Sequence, residues 1–333
     1  MHLNYLESPE FYEVSILVNI LFLSTVNGKL DEGMRNVATH IGKSLQRENR
    51  VFYVQLKDLT GILKNLPRAN SILICARADK KLYYLVRLLS LFQPTSIILV
   101  QKPFQSFVDL NNKHPLNCNF FTISLDDIQA IKSEKKFKID VGIDFQRFKP
   151  CTDITNFELK RKLGFDTNKC LVLHVGHCST GRRVEMLCEF PSSKFERVLI
   201  SSGMFEDPAI HKALEEAGVH IISGYIPNIE EYYQAADVYF FPTCSGDYVI
   251  SVPLSVMEAL ACGTPVVAYD KLNGLKEIHV RKPQSVRFIR DNESVSDAAL
   301  NVMRYKSEET LLDNPASWDS IADFVGKELN NRW

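Results

Sequence analysis

Short runs of apolar residues alternate with segments of helical hydrophobic period along most of the chain. In the first half, the segment 35–46 places Val37, Ile41 and Leu45 on one helical face. The neighbouring runs are continuously apolar, which is typical of parallel strands covered on both faces. These runs cover residues 19–24, 51–54, 71–76 and 96–100. The first half therefore predicts an α/β domain.

The second half repeats this alternation of strands and helices. Predicted strands cover residues 170–175, 198–201, 219–223, 238–241 and 265–268, and predicted helices cover 183–190, 209–217, 229–235 and 256–261. This spacing favours a doubly wound sheet, which binds ligands at the carboxyl ends of its strands. A chain of 333 residues suits two domains. We place the boundary after Pro150, with one domain over residues 1–150 and a second over 151–317.

Composition and charge limit the kinds of binding partner that the chain is expected to have. The chain has 45% hydrophobic and 24% charged residues, as in ordinary globular proteins. Its formal net charge of -1 gives no overall attraction to nucleic acid or to an anionic membrane. Four lysines lie between Lys132 and Asp140. We favour a solvated face near a hinge for that stretch, and a basic contact for an acceptor or a membrane is the alternative.

The cysteines and the apolar N-terminal run indicate the cellular compartment in which the protein is expected. Eight cysteines are scattered without a C-x-x-C pair, so neither structural zinc nor a disulfide framework is expected. The run from Val14 to Val26 is too short to span a bilayer, and polar residues interrupt it. Acidic residues precede it, whereas a secretory signal begins with positive charge. We therefore predict a cytoplasmic protein with free thiols.

The residues from Val252 to Ala268 form the most informative segment. Their order predicts a loop, a short helix with Ser255 as its N-cap, a stop at Gly263 and a buried strand. Glu258 would then lie in the first turn of the helix. A carboxylate there can accept hydrogen bonds from the vicinal hydroxyls of a ligand, or it can interact with the helix dipole alone. The spacing leaves both interpretations open.

This segment resembles the signature of the retaining glycosyltransferases of family 4, in which E-G-F-P-L-S-x-x-E-A-x-A-x-G-T-P-V-V is frequent. The match from Pro253 to Ala268 is close to complete. Further stretches are similar to family motifs in order and spacing: residues 141–150, 173–177, 224–226, 232–242, 274–278 and 317–322. The resemblance covers residues 140–330 well and the first 140 in outline.

The resemblance implies the GT-B fold, in which two Rossmann-like, doubly wound α/β domains face each other across a cleft and a helix over residues 318–333 packs back on the first domain. It also implies transfer of a hexose from a nucleoside-diphosphate sugar, such as a UDP-sugar, to a hydroxyl acceptor with retention of configuration. Fixed cations would do the work of a divalent ion, so neither a metal nor a cofactor is expected. The acceptor would be a carbohydrate, a lipid-linked molecule or a protein, and many relatives contact the inner face of a membrane.

The family holds the donor diphosphate with an arginine after the first strand of the second domain and a lysine five residues later. His177 and Arg182 take these places here, and Arg183 lies one register step away. Arg182 has a fixed charge and can bind phosphate in a fork, so we predict that it is catalytic. His177 supplies charge only when it is protonated. A plain surface arginine is the alternative for Arg182.

Further donor contacts follow from the same resemblance. Glu258 matches the glutamate that binds the donor ribose, and Ser255 belongs to the same motif. Glu277 matches a loop acid near the sugar, with a surface position as the alternative. The segment expected to hold the nucleobase is Gly224, Tyr225 and Ile226, although core packing would also explain Tyr225. Gly28 and Gly33 flank the first strand-to-helix turn, where small residues let a backbone approach a phosphate, or merely form a turn.

One position departs from the family signature. Ile250 stands where the family has its first glutamate, which contacts the donor sugar near the reacting centre. An isoleucine cannot accept that hydrogen bond, so we predict that Asp247 replaces the missing acid as a second catalytic residue. The alternative is a non-catalytic GT-B protein that binds a sugar nucleotide or a partner enzyme, and a sugar-nucleotide epimerase is a third, minor option.

Overall fold

The computed structural model describes residues 18–24, 33–152, 154–203, 206–290, 292–305 and 316–330. These residues form two six-stranded sheets whose paired strands are all parallel. Helices cover both sheets, so the predicted architecture of two Rossmann-like, doubly wound α/β domains is confirmed. None of the described helices is long and apolar enough to cross a membrane.

The first sheet contains β1 (Asn19–Ser24), β2 (Arg50–Gln55), β3 (Ser71–Cys75), β4 (Thr95–Leu99), β5 (Asn119–Thr122) and β6 (Lys136–Lys138). Their spatial order is β2-β1-β3-β4-β5-β6. The helices of this half are α1 (Gly33–Leu45), α2 (Leu59–Asn65), α3 (Lys80–Leu89), α4 (Gln105–Lys113) and α5 (Leu125–Gln129). Short crossovers of this kind join parallel strands and place the helices on the two faces of the sheet.

The second sheet contains β7 (Cys170–Gly176), β8 (Phe195–Ser201), β9 (His220–Ser223), β10 (Val238–Phe241), β11 (Val266–Ala268) and β12 (Val286–Phe288). Their order is β12-β11-β10-β7-β8-β9, which reverses direction beside β7. The helices are α6 (Asn156–Lys162), α7 (Pro208–Glu216), α8 (Ile229–Ala235), α9 (Leu254–Ala261), α10 (Asn273–Arg281), α11 (Val295–Val302) and α12 (Trp318–Asn330). Such a reversal is where doubly wound sheets bind ligands.

Burial explains why the central strands are largely apolar. In β1, Ile20 and Phe22 belong to the core beneath α1, whereas Leu21 and Leu23 belong to the core beneath α2, α3 and α4. Alternate side chains therefore enter different cores on opposite faces of the sheet. The same holds in the second domain, where β8 is buried along its whole length.

The helix α12 follows the second domain in sequence but packs on the first. Phe324 lies edge-on to Phe121 of β5, with 6.3 Å between the ring centroids. Asp319 forms an ion pair with Arg47, which follows α1. At its start, Trp318 lies so close to Gly142 that a Cβ there would be 2.5 Å from the indole. A side chain at position 142 would therefore displace the tryptophan.

Side chains and backbone also join the two domains along the cleft. Ser251 donates its backbone N–H to the carbonyl of Val100 at 2.8 Å, and its hydroxyl donates to Asp127. Lys138 of β6 forms an ion pair with Glu277 of α10. These contacts fix the loop before α9 against the carboxyl end of the first sheet.

Several local predictions were wrong. The helix α9 begins at Leu254 with Pro253 as its N-cap, so Ser255 lies inside the helix and Glu258 lies beyond its first turn. The hydroxyl of Ser255 is instead hydrogen-bonded with Tyr239. The predicted helix over residues 183–190 is a 3-10 helix over Val184–Glu189. The lysine-rich stretch contains the edge strand β6, where charged side chains suit a strand with one exposed side.

We expect Gly142→Ala to destabilise the protein by roughly 1–3 kcal/mol, because overpacking against Trp318 forces a shift. Gly246→Ala is the matched control, since an added Cβ there meets nothing within 4 Å. Urea unfolding of both variants measures the difference. Equal stability of Gly142→Ala and the wild type would contradict the close packing of Trp318 on residue 142.

Candidate active site between the two domains

A cavity of about 600 Å³ lies between the two sheets. Most of its second-domain wall follows the carboxyl ends of β7, β8, β9 and β10, as expected for a doubly wound sheet. First-domain residues close the opposite side. The structure brings these predicted residues to one cavity: Gly33, His177, Arg182, Gly224, Tyr225, Ile226, Asp247, Ser255 and Glu258.

Arg182 ends a short 3-10 turn after β7 and lines the cavity with its partly buried guanidinium. Burial lowers the pKa of this group from its ordinary value. Its Nε is buried without a hydrogen-bond partner, and it pairs with no carboxylate among the residues that the structure describes. A cation withdrawn from water without a counter-ion is costly. The site therefore favours an anionic ligand.

Two histidines of β7 and its continuation lie near Arg182. His174 is fully buried, and its Nδ1 is 2.8 Å from the carbonyl of Phe240. Burial lowers the pKa of His174 to about 4, so the ring is neutral at physiological pH. His177 lines the cavity and its Nδ1 is 2.7 Å from Ser202 Oγ. The fixed charge at this end of the cavity thus comes from Arg182.

Glu258 lines the cavity from α9. Its Oε2 accepts a hydrogen bond from the hydroxyl of Tyr233 at 2.9 Å. Burial raises the pKa of Glu258 to about 7, against the lowering effects of that hydrogen bond and of Arg147. Arg147 itself is held by Glu230, with Nε and Oε2 2.7 Å apart. Near neutral pH the carboxyl group therefore exists in both forms and retains an oxygen for a ligand hydroxyl.

The segment after β9 forms another part of the wall. Gly224 has a φ of +100°, a conformation that other residues rarely adopt. Tyr225 is 43% exposed, so core packing does not explain its presence. Ile226 lines the cavity beside it. An exposed aromatic ring beside an aliphatic side chain in the cavity wall suits a flat ring of a ligand.

Not every predicted residue reaches the cavity. Arg183 adopts a left-handed conformation with φ of 56°, and its Nη1 is 2.8 Å from Cys244 Sγ. Its guanidinium lies 4.9 Å from the ring of Tyr269, away from the cavity lining. Glu277 is occupied by its ion pair with Lys138. Gly28 lies outside the described residues.

Ile250, which departs from the family signature, and Asp247, which is predicted to replace the missing acid, point in different directions. Ile250 is 5% exposed, and its side chain would be 3.3 Å from a Cβ at Gly33, across the domain boundary. Asp247 is mostly exposed, and its Oδ1 is 3.4 Å from Arg77 Nη2 on the other side of the cleft. The wall near residue 250 is therefore apolar, while Asp247 joins the two domains by a weak ion pair.

The first-domain wall contains residues that the sequence did not single out. His40 of α1 stacks on Trp318 with 5.0 Å between ring centroids, and Arg77 follows β3. Burial, aided by Lys43, lowers the pKa of His40. Arg77 was detectable, since it directly follows an apolar strand at the end where ligands bind. The position of His40 depends on its stacking against Trp318 of α12, and no pattern within α1 reveals that contact. Within the described residues, no three His, Cys, Asp or Glu side chains could share a metal ion.

Most of the second domain matches a known family model. Residues 173–304 match the family model of the glycosyl transferases group 1. No curated protein sequence matches the chain.

Solved structures resemble nearly the whole chain. The crystal structure of Anabaena HepE with UDP and glucose matches with a TM-score of 0.72 and 16% identity, over 95% of this chain and all of that one (100%). A glycosyltransferase from Rickettsia africae matches with a TM-score of 0.67 and 14% identity, over 95% and 100%. WaaG, a glycosyltransferase of lipopolysaccharide biosynthesis, matches with a TM-score of 0.64 and 16% identity, over 94% and 100%. The fold is GT-B.

We expect Arg182→Met to stabilise the ligand-free protein by roughly 0.5–2 kcal/mol, because it removes a desolvated charge without a counter-ion. Chemical denaturation without nucleotide measures this. Arg183→Met is the matched control, and it should not stabilise the protein, since Arg183 contacts Cys244 and Tyr269. A loss of stability in Arg182→Met would mean that the cation is compensated within the protein.

The raised pKa of Glu258 makes stability depend on pH. The folded protein keeps this proton up to about pH 7, whereas the unfolded chain releases it near its ordinary value of 4.5. The stabilising contribution is therefore complete below pH 4.5 and is lost as the pH rises to 7. We expect Glu258→Gln to melt higher than the wild type at pH 8 and close to it at pH 5. Thermal melts across this range test it, with the exposed Glu189→Gln as the control that should not change the profile.

Proposed function

We propose that this chain, whose residues 173–304 form a glycosyl transferases group 1 domain, transfers a hexose from a UDP-sugar to a hydroxyl acceptor with retention of configuration and without a metal ion. One observation carries the proposal. An arginine that has no counter-ion among the described residues lines the same interdomain cavity as a buried carboxyl group, which accepts a hydrogen bond from Tyr233. A diphosphate and a ribose diol are the complementary groups, and a nucleoside-diphosphate sugar contains both.

The donor would lie along the second-domain wall. Arg182 would bind the diphosphate, Glu258 would accept hydrogen bonds from the ribose hydroxyls, and Tyr225 would contact the base. The cavity volume of about 600 Å³ falls within the common range for ligands of this size. HepE in its crystal structure is bound to UDP and glucose, which favours uridine as the base for this chain too.

In the proposed reaction the bond between the anomeric carbon and the diphosphate oxygen breaks as the acceptor oxygen attacks. The acceptor proton passes to the departing diphosphate, so the products are the glycoside and UDP. Arg182 stabilises the negative charge that develops on the leaving group, in a cavity where water screens it little. Attack on the face from which the diphosphate leaves gives retention.

The apolar side chain of Ile250 limits which donor sugar fits the cavity. A glutamate at that position would accept a sugar hydroxyl, whereas the isoleucine packs towards Gly33 and offers no acceptor. Asp247 is directed towards Arg77 across the cleft, and we propose that it turns to the sugar when a donor binds. A sugar with an apolar group facing residue 250 fits this wall best.

The acceptor would enter from the first-domain side, past Arg77 and His40. A carbohydrate, a lipid-linked molecule or a protein would each supply the hydroxyl. All eight cysteines are free, which supports a reducing cytoplasm, and we propose that the protein acts there, at the inner face of the membrane.

We expect Arg182→Ala to weaken UDP binding by roughly 10- to 100-fold, since charge-assisted hydrogen bonds contribute about 1.5–3 kcal/mol. Isothermal titration calorimetry measures the change. Arg183→Ala is the matched control, because the neighbouring guanidinium contacts Cys244 and Tyr269 instead of lining the cavity. Equal losses in the two variants, or none in either, would sink the assignment of Arg182 to the diphosphate.

The buried Ile250 favours a second candidate, a GT-B protein that binds a sugar nucleotide without transferring the sugar. Calorimetry and a turnover assay with labelled donors separate the two. Tight UDP binding with neither transfer nor slow donor hydrolysis supports the non-catalytic protein. Release of UDP by the wild type and by Arg183→Ala, but not by Arg182→Ala, supports the transferase.

A further inference from the structure

A second cavity lies at the edge of the second sheet, around the edge strand β12. Its wall is formed by the loop after β11, the end of α10, β12 and the end of α11, and we call it the β12 cavity. Its volume is about 590 Å³, which is common for small-molecule sites. It shares no lining residue with the cavity between the domains, so it is a separate candidate site.

The β12 cavity extends around both faces of its edge strand. Val286 and Phe288 pack in the same core as Leu275 of α10, whereas Ile289 packs against the core that contains α11. Because successive side chains of a strand point to opposite faces, Arg287 lies on the α11 face and Phe288 on the α10 face. Both residues line the cavity, so a ligand there would contact a cation and an aromatic ring together.

Cations dominate the lining of the β12 cavity, although the whole chain has a net charge of -1. Lys271, Arg287 and Arg290 carry fixed positive charges, and His279 adds a ring that can be protonated. Asp270 is the one carboxylate among the described lining residues, and its Oδ1 lies 3.6 Å from Lys271 Nζ. A concave wall with charge of mainly one sign attracts ligands of the opposite sign, so this cavity favours an anion.

One carboxylate behind the wall fixes both arginines. Oε1 of Glu293 accepts a hydrogen bond from Arg287 Nη2 at 2.5 Å, and its Oε2 accepts one from the backbone N–H of Arg290 at 3.0 Å. Glu293 itself does not line the cavity. Arg287 Nε is buried without a hydrogen-bond partner, so this guanidinium keeps an unused donor despite its ion pair. Arginines that are already held in place lose less conformational entropy when a ligand binds.

His279 offers a further group to an anion. Its Nδ1 is 2.7 Å from the carbonyl oxygen of Val286, and because a carbonyl only accepts, Nδ1 carries a hydrogen. Nε2 is therefore the nitrogen that remains for a ligand, and it donates when the ring is protonated. The ring centroid lies 4.7 Å from that of Phe288, so packing as well as the hydrogen bond holds the imidazole in place.

We propose that the β12 cavity binds a small molecule that carries a phosphate ester. A phosphate group has a charge of about -1.5 to -2 at pH 7 and three acceptor oxygens, so several cations can bind it together. A single carboxylate carries less charge and would leave part of the cationic wall unpaired. Phe288 and Ile289 provide apolar surface for the remainder of the molecule. The proposal is independent of any donor in the cleft, because the two cavities have no residue in common.

Isothermal titration calorimetry of the full chain with glycerol 3-phosphate tests the site. The titrations use Arg182→Ala, because this substitution removes the cation of the cleft and leaves the β12 cavity intact. Glycerol 3-phosphate should bind at one site per chain, and uncharged glycerol should not bind. Adding Lys271→Ala and Arg290→Ala should weaken binding by roughly tenfold or more, since charge-assisted hydrogen bonds are lost. Both side chains are exposed, so their removal leaves the core unchanged.

The same domain supplies a matched control. Lys276 and Arg304 are exposed and line neither cavity, so Lys276→Ala combined with Arg304→Ala removes the same residue types and the same net charge. In the Arg182→Ala background this pair should bind glycerol 3-phosphate as tightly as Arg182→Ala alone. Thermal melts of all variants should agree, which separates a lost site from a misfolded chain.

Three results would overturn the proposal. One is that glycerol 3-phosphate does not bind, and another is that glycerol binds equally well, because the phosphate would then be irrelevant. The third is an equal loss in the Lys276→Ala and Arg304→Ala pair, which would show a general effect of net charge instead of a site. Absence of UDP binding in the wild type would defeat the proposed function alone, since the β12 cavity does not depend on it.

Discussion

The guanidinium of Arg182 is the constraint on which the cleft depends. It is partly removed from water, yet its Nε has no hydrogen-bond partner and no described carboxylate neutralises it. Burying an unpaired charge costs several kcal/mol in idealised terms, so a stable fold retains one only where the charge has another use. Arg183, the next residue, has a left-handed backbone conformation, and its guanidinium packs on Tyr269 outside the cavity. Arg182 is therefore the arginine of this pair that lines the cavity.

The sequence predicted the architecture because parallel sheets leave a strong local signal. The central strands have both faces covered, so their apolar runs are nearly continuous, and the helices between the runs have a clear period. The strand β6 was missed for the opposite reason. It lies at the edge of the sheet and consists of Lys136, Phe137 and Lys138, which read locally as a solvated segment.

The residues of the site could be predicted only where they belong to a sequence motif. Arg182 follows the carboxyl end of β7 and Glu258 lies on α9, in the crossover after β10, so the doubly wound topology brings them to one edge of the sheet. The partners of Glu277 and Asp247 could not be predicted, since Lys138 and Arg77 lie 139 and 170 residues away in sequence. Arg182 lines the cavity and the adjacent Arg183, which has a left-handed backbone, does not, and no pattern in the sequence specifies this difference.

The GT-B fold does not decide the reaction, because one fold supports unrelated chemistry. The site is more selective than the fold. An anion alone would neutralise Arg182. A compound with a hydroxyl group alone would donate a hydrogen bond to Glu258, whose pKa is about 7. A ligand that relieves both costs at once carries a negative charge and a hydroxyl group, and the exposed Tyr225 adds a surface on which a flat ring can pack. A nucleotide with an intact ribose, as proposed for this site, offers all of these groups, whereas a simple phosphate or a simple sugar offers fewer.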